Sequence, residues 1–479
     1  MVSPENRKKY IATIGIECHV QLNTETKLFA AVGNDAREAP PNTLISHICL
    51  GMPGALPVLN EKAIELASRA AFALGSRPQN FSKFDRKHYF YPDLPKGYQI
   101  TQFDQPIIIG GNITIETSDG PKTIHITRAH LEEDAGKSTH PVGRDYSLVD
   151  LNRAGTPLLE IVSEPEINTP EEAKLYAYEL YLRMRYANVS DANLYYGNMR
   201  FDVNVSVSKT KDFGIRTETK NLNSFRSVER AVAYEIERQI EILEKGGSVT
   251  QETRGWDDSA QKTFSQRSKE DAHDYRYFPD PDIPPVQLSE QYIDDIQASM
   301  PTLPPEYRQK FIMIGLDKKV IEDIIAVPEI AKIVARITEI AEPTHARRIA
   351  FWLLQAIDDN SETAEENTIS CSEEALIGLS EMVESNKLSS SAAKEVFLEL
   401  IKQGGDPESI AQAKNILQVS NEAELEAIVR RVIADNQKAA QDIRDGQDKA
   451  IGFLVGQVMK QSQGKANPAV VQTIIRKLV

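Results

Sequence analysis

The sequence predicts an α+β fold: a mixed or antiparallel sheet domain with covering helices, followed by an all-α helical domain and a small all-α tail domain. Three observations predict it. Through residues 1–290, short segments that alternate apolar and polar residues lie between long, well-capped helical stretches. The segment Asp274 to Pro285 then ends that pattern, since its four prolines fit neither a helix interior nor a central strand. Beyond it the periodicity is helical, with a second break at Gly404-Gly405-Asp406-Pro407. These breaks divide the chain into 1–290, 291–404 and 405–479, in keeping with 479 residues being too many for one core.

Ile14 to Leu22 alternates, with Ile14, Ile16, Cys18, Val20 and Leu22 on one face and Glu17, His19 and Gln21 on the other. A helix runs from an Asn60 cap to Leu74 before Gly75. Tyr91 to Gln99 is a proline-set loop presenting Asp93, Lys96, Tyr98 and Gln99, in which proline limits the conformations to be frozen out on binding. Ile107 to Glu116 and Lys122 to Arg128 form a hairpin around Ser118-Asp119-Gly120-Pro121. Thr156 to Val162 reads as a buried strand carrying one carboxylate, Glu160, which needs a partner there. Thr169-Pro170-Glu171-Glu172 is a capping box opening a helix to about Tyr186, Phe201 to Val207 alternates again, and Ser224 to Lys245 is a helix ended by Gly246-Gly247. These three helices should cover one face of the sheet. Further helices are expected over 304–313, 319–326, 328–341, 345–358, 372–385 and 389–403, then through the tail.

Composition narrows the function classes. No apolar run approaches the ~20 residues of a membrane span, and the N-terminal residues lack the apolar core of a signal peptide, so a soluble, cytoplasmic protein is expected. The three cysteines, Cys18, Cys49 and Cys371, form no CxxC and argue against a disulfide framework or a four-thiolate zinc site. A net charge of -15 argues against non-specific coating of nucleic acid. A local basic patch remains. From Lys449 onward the chain carries Lys449, Lys460, Lys465, Arg476 and Lys477 with no acidic residue, which suits either a phosphate-backbone contact or plain solvated helices.

The densest chemistry lies between Arg128 and Pro165, where acids, bases and glycines crowd together as a phosphate-and-metal site requires. Glu17 and His19 leave one strand face ~7 Å apart and can converge on one ion, although such a pair also reads as a solvent-facing polar stripe. His130 and Glu132 share a face in the same way. Three carboxylates with one imidazole suit Mg²⁺ or Mn²⁺ better than a thiophilic metal. Gly136-Lys137-Ser138-Thr139 has Leu131 where GxxxxGK[ST] needs its leading glycine, so a P-loop is not expected. Ser391-Ala392-Ala393-Lys394 has SxxK spacing but reads as helix capping behind Ser389-Ser390.

Taken together, these strings closely resemble one family, the B subunit of the glutamyl/aspartyl-tRNA amidotransferase (GatB). The resemblance is carried by Ile14 to Leu22, Gly51 to Asn60, Phe84 to Gln99, His130 to His140, Asp150 to Glu160, Thr217 to Phe225, Asp274 to Pro285, Gly452 to Lys460 and Gly464 to Pro468. It implies a cradle-shaped first domain, a helical domain and a mobile, tRNA-touching tail. It also implies a ligase that uses ATP and Mg²⁺ to phosphorylate the side-chain carboxylate of Glu or Asp mischarged onto tRNA(Gln) or tRNA(Asn). Ammonia then displaces the phosphate; it would come from an amidase-fold glutaminase subunit, with a small third subunit completing a heterotrimer. By motif, Glu17, His19, Glu132 and Glu160 look like the metal and catalytic residues, with Asp202, Glu218 and Lys220 nearby. Lys96, Tyr98, Lys137, Arg153 and Lys220 look like nucleotide, acceptor or tunnel contacts. The alternatives are a tRNA-binding scaffold without activation chemistry and a free-standing ligase for a small carboxylate. Two departures stand out. Only Cys49, with His47 two residues away, remains of a zinc-binding cysteine set that some members carry, and Tyr196 and Asn198 replace an acidic residue and a serine of the family's Glu-Gly-Ser-Leu-Arg-Cys-Asp loop.

Overall fold

The computed structural model describes residues 3–141, 143–268, 275–358, 371–418, 422–445, 447, 449–462 and 466–479. Asp274, Gly464 and Lys465, which belong to the motifs named above, lie outside the described residues. The chain forms two compact units, 1–304 and 305–479.

The first unit holds the strands β1 (Ile11–Gln21), β2 (Phe81–Ser82), β3 (Asp85–His88), β4 (Tyr98–Thr101), β5 (Ile108–Ile109), β6 (Asn112–Thr117), β7 (Gly120–Glu133), β8 (Lys137–Thr139), β9 (Leu148–Asp150), β10 (Pro157–Ser163), β11 (Met199–Ser208), β12 (Thr217–Leu222), β13 (Glu252–Asp257), β14 (Lys262–Ser268), β15 (Phe278–Pro279) and β16 (Val286–Gln287). Its helices are α1 (Pro4–Arg7), α2 (Glu61–Ala73), α3 (Pro170–Tyr186), α4 (Phe225–Glu244) and α5 (Glu290–Ala298). The main sheet runs β14-β13-β12-β11-β1-β10-β7-β4-β3-β15, with β5 and β6 also paired to β7. Among the described residues only β12 and β13 pair in parallel, so the sheet is mixed and the fold is α+β as expected.

The alternation read in the sequence sets which way each face points. Ile14, Ile16, Cys18 and Val20 are buried in a core shared with Ala67, Ala70 and Ala71 of α2, Tyr176 and Leu180 of α3, and Val228, Val232 and Ile236 of α4. Each fully buried aliphatic chain is worth roughly 1.5–3 kcal/mol, and a one-residue slip would forfeit the whole set. The three helices start at the caps read in the sequence: the Asn60, Thr169 and Ser224 side chains accept from backbone amides of their first turns.

Two elements differ from expectation. The arm expected from Ile107 is split into β5 and β6, because Gly110 and Gly111 adopt φ values of 70° and 122° and break the run. Its partner β7 does not stop at Arg128 but continues to Glu133, so that it pairs with β6 at one end and β10 at the other. The proline-dense segment is also woven into the sheet unit. Pro279 sits in the edge strand β15, where no further ladder bond is needed, and Arg86 of β3 donates to Asp280 at 2.7 Å and Asp282 at 2.8 Å.

The second unit is helical: α6 (Pro304–Met313), α7 (Lys318–Ile325), α8 (Pro328–Ile340), α9 (Pro343–Asp358), α10 (Glu373–Glu384), α11 (Ser390–Gln403), α12 (Pro407–Ala413), α13 (Glu422–Asp435), α14 (Gln437–Arg444), α15 (Lys449–Gln461) and α16 (Pro468–Leu478). The Ser389 hydroxyl accepts from the Ala392 amide at 3.2 Å, so the SxxK string is a helix cap. Gly404 falls between α11 and α12, which pack on each other. The last four helices share a separate apolar cluster built on Leu425, Val429, Leu454, Val458 and Ile474. Among the described residues, no helix is long and apolar enough to cross a membrane.

One buried charge ties α4 to the sheet edge. Glu235 is fully buried and accepts from Arg238 at 2.8 Å, Thr217 at 2.8 Å and Thr263, with Arg254 at 3.1 Å. Burial raises its pKa, but the Arg238 and Thr263 bonds outweigh this and hold it below the usual glutamate range. A carboxylate whose folded pKa is depressed adds stability above the unfolded value of ~4.3, and that stability is lost as the pH falls through the folded one. Glu235→Gln is therefore expected to cost about 3 kcal/mol near neutrality and to flatten the acid limb of a stability-versus-pH curve measured by urea unfolding.

Candidate active site on the polar face of the sheet

The face of the sheet opposite the core of α2, α3 and α4 collects the polar members of each alternating strand. In register, His19 of β1 lies opposite Glu160 of β10, and Glu160 lies opposite His130 of β7. Glu132, two residues along β7, shares that face with His130. The His19 Nε2 atom stands 3.3 Å from a Glu160 oxygen and 3.6 Å from a Glu132 oxygen, while His130 Nε2 lies 3.7 Å from Glu132 and 3.8 Å from Glu160. Ligand atoms of His19, Glu132 and Glu160 all lie within 4.8 Å of one another.

Glu17 goes elsewhere. It lies opposite Asp202 of β11, and its ligand atom groups with those of Asp202 and Glu218, again within 4.8 Å. Asn204 donates to Glu17 at 3.0 Å, and the Lys220 ammonium bridges Asp202 and Glu218 at 2.9 Å each. The expected set of four is thus two adjacent sets: β1 turns Glu17 toward β11 and His19 toward β10. Burial raises the Glu17 pKa, helped by the negative charges of Glu160 and Glu218.

The electrostatics follow from packing acids this closely. Burial works against a charged His19, but the hydrogen bond and charge of Glu160, then the charge of Glu132, lift its pKa to about 9. Burial likewise opposes ionisation of Glu160, and the charge of His130 with the bond to His19 outweighs it, holding Glu160 well below the carboxylate range. A divalent cation here would displace the His19 proton. The donor set fits such an ion: one imidazole and two carboxylates at mutual distances that metal–oxygen bonds of ~2.1 Å can span, with oxygen predominating as Mg²⁺ or Mn²⁺ prefers. Among the described residues the buried His130 Nδ1 has no hydrogen-bond partner, an orphan in the same wall.

Most of the Arg128–Pro165 cluster proves to be scaffolding. Glu133 pairs with Lys96 and accepts from the Ile100 amide at 2.9 Å. Asp134 pairs with Arg153 and Arg200 at 3.0 Å each, Asp150 accepts from the Asn42 amide at 3.0 Å, and Glu164 accepts from Thr127 at 2.8 Å. The expected nucleotide contacts are dispersed. Lys96 and Tyr98 sit by Glu133 under Arg86, which lies 4.3 Å from the Tyr98 ring centroid, and Lys220 belongs to the Glu17 set. Lys137 and Arg153 line a polar cavity of about 370 Å³ beyond Gln21, at the C-terminal end of β1. A second cavity of about 500 Å³ lies at the other end, by Gly15, Glu17, Asn204, Phe213 and Ile215. His47 and Cys49 belong to no metal-ligand group among the described residues; the Cys49 thiol instead faces the buried Lys27 ammonium at 3.7 Å.

Lys87 is the residue that sequence reasoning passed over. Its ammonium lies 4.9 Å from the Tyr275 ring centroid, and burial depresses its pKa less than the charges of Glu132 and Glu160 raise it. It stands inside one of the family motifs, but only the pairing of β3 with β4 and of β4 with β7 carries it toward the carboxylates.

A family model described as the GatB/GatE catalytic domain matches residues 12–294, and a second, described as the GatB domain, matches 335–479. The chain belongs to the GatB family. It is 43% identical to the B subunit of the aspartyl/glutamyl-tRNA(Asn/Gln) amidotransferase of Carboxydothermus hydrogenoformans, over 98% of each chain. The corresponding B subunits of Caldanaerobacter subterraneus subsp. tengcongensis and Desulfotalea psychrophila are 44% and 43% identical, covering 98% of this chain and 99% of theirs. The first GatB match, spanning 12–294, contains every residue of the two carboxylate sets. For this GatB chain, Mn²⁺ titrated calorimetrically into the full-length protein is expected to bind, and Glu160→Gln to weaken that binding by about tenfold or more.

Proposed function

We propose that this chain is the transamidating B subunit of an aspartyl/glutamyl-tRNA(Asn/Gln) amidotransferase. On this reading it phosphorylates, with ATP, the side-chain carboxylate of Glu or Asp mischarged onto tRNA(Gln) or tRNA(Asn). It then replaces the phosphate with ammonia supplied by an amidase-fold glutaminase subunit, held with it by a small third subunit. The observation that carries the reading is the convergence of His19, Glu132 and Glu160 beside Glu17, Asp202 and Glu218 on one polar face, within a whole-length match to proteins that bear this name.

The chemistry asks for such a face. A carboxylate is a poor acyl donor until it becomes an acyl phosphate, and the attacking carboxylate and the γ-phosphoryl group repel each other. Mg²⁺ held by His19, Glu132 and Glu160 would supply the neutralising charge for both. The Lys87 charge acts together with those of Glu132 and Glu160, and the Lys220 ammonium offsets one of the two charges of Asp202 and Glu218. His130 Nε2 stands between the two acids, 3.7 Å from Glu132 and 3.8 Å from Glu160. Cavities of about 370 and 500 Å³ flank the stripe, one toward each end of β1.

Glu132→Gln in the assembled complex is expected to abolish ATP-dependent amidation of mischarged tRNA and to spare glutamine hydrolysis; surviving amidation would remove the metal role. The chain alone, with ATP, ammonia and free glutamate, should give no glutamine, which separates it from a free-standing ligase. Lys449, Lys460, Arg476 and Lys477 are exposed on the last two helices, in the unit farther along the chain. Removing residues 422–479 should weaken tRNA binding and lower its salt slope by several units, about one for each phosphate no longer neutralised, as read by filter binding across salt concentrations.

A further inference from the structure

Lys27 is among the largest side chains wholly out of solvent, 1% exposed, and neither carboxylate set uses it. Its nitrogen donates to the Leu44 carbonyl at 2.6 Å and to the Ala154 carbonyl at 2.6 Å, and it stands 3.7 Å from the Cys49 sulfur. These contacts come from two stretches of chain, the loop through residues 44–49 and the turn ahead of β10. The Ser46 hydroxyl accepts from the Ile48 amide at 3.2 Å and the Cys49 amide at 3.4 Å, and its oxygen lies 3.5 Å from the same sulfur. Gly155, at φ 85°, closes over the pair: a Cβ placed there would lie 3.5 Å from Lys27 Cδ and 3.9 Å from Cys49 Sγ. Glu133, whose charge acts on Lys27, is paired with Lys96.

An ammonium taken out of water without a carboxylate of its own is costly, and a buried lysine answers by releasing its proton more readily. Burial accordingly pulls the Lys27 pKa below the usual lysine range, against the opposing charge of Cys49. In the amine form two N–H bonds remain, and two carbonyls accept them at 2.6 Å. The nitrogen lone pair is then left for the third contact, the sulfur. A thiol in apolar surroundings is inert, as Cys18 should be, since it is wholly buried and burial pushes its pKa well up. Cys49 differs in keeping 6% of its surface open and in having a nitrogen nucleophile beside it.

We propose that Lys27 and Cys49 form a peroxide-dependent covalent cross-link, a sulfenamide between the lysine nitrogen and the cysteine sulfur. In the first step hydrogen peroxide takes two electrons from the sulfur, and the thiol becomes a sulfenic acid with release of one water. In the second the Lys27 amine attacks that sulfur. The N–S bond forms as the S–O bond breaks, and the hydroxyl leaves with a proton from the nitrogen as a second water. The flexible four-carbon stem of Lys27 lets its nitrogen close the remaining distance. The bond locks the loop that holds Cys49 to the chain just after β1. A dithiol reverses it, returning the amine and the thiol. The cross-link stands apart from the function proposed above.

The test treats the full-length chain with hydrogen peroxide, alkylates free thiols under denaturing conditions, and reads proteolytic peptides by mass spectrometry. A linked peptide joining Lys27 to Cys49, lighter than the sum of its parts by two hydrogens, is the expected product. Dithiothreitol should return both parts, and Cys18 should remain a thiol. Lys27→Arg keeps a charge but offers no nucleophilic amine, so it should lose the linked peptide and leave Cys49 as a sulfenic acid that dimedone labels. A second measurement needs no variant: dimedone added with the peroxide competes with Lys27, so the linked peptide should fall as labelled Cys49 rises. Cys49 recovered as sulfinic acid with no linked peptide, or as a free thiol at peroxide concentrations that oxidise added glutathione, overturns the proposal.

Discussion

Everything on the polar face depends on the antiparallel register of β7, β10, β1 and β11. Side chains on a strand alternate with a period of two, so a slip of one residue would turn Glu17, His19, Glu132 and Glu160 into the core and Ile14, Ile16 and Cys18 out to solvent. The apolar packing of α2, α3 and α4 on the far side makes such a slip prohibitively costly. The hydrophobic effect on one face thereby brings the histidines and carboxylates on the other to 3.3–3.8 Å of one another, without requiring attraction between the acids themselves.

Those acids would otherwise repel. Each set carries its own compensation: Lys220 between Asp202 and Glu218, and two histidines with Lys87 around Glu132 and Glu160. Positive charge held by the protein thus already faces these carboxylates, and against burial the bond and charge of Glu160 lift the His19 pKa to about 9. Such tuning is what a site assembled from several strands permits, because each strand contributes one or two groups at a fixed spacing. The acids that looked equally available in the sequence, Glu133 and Asp134 among them, are consumed instead in holding Lys96, Arg153 and Arg200.

Many of the elements, and which face of each is polar, are legible in the residues alone. The alternation around Glu17 and His19, the isolated Glu160 in an apolar run, and the caps at Asn60, Thr169 and Ser224 all rest on neighbours a few residues away, where the local rules of helix and strand apply. The length of β7 was not legible, because its second half pairs with β10 and not with its hairpin partner. Packing at long range settled the partnership of charges: that Glu17 belongs with Asp202 and Glu218, that the Lys87 charge acts together with those of Glu132 and Glu160, and that Lys137 and Arg153 line a cavity away from Lys96 and Tyr98. Spacing along one chain fixes what a residue can face, but the identity of its neighbour on the next strand is set by sheet order and register, which long-range packing alone selects.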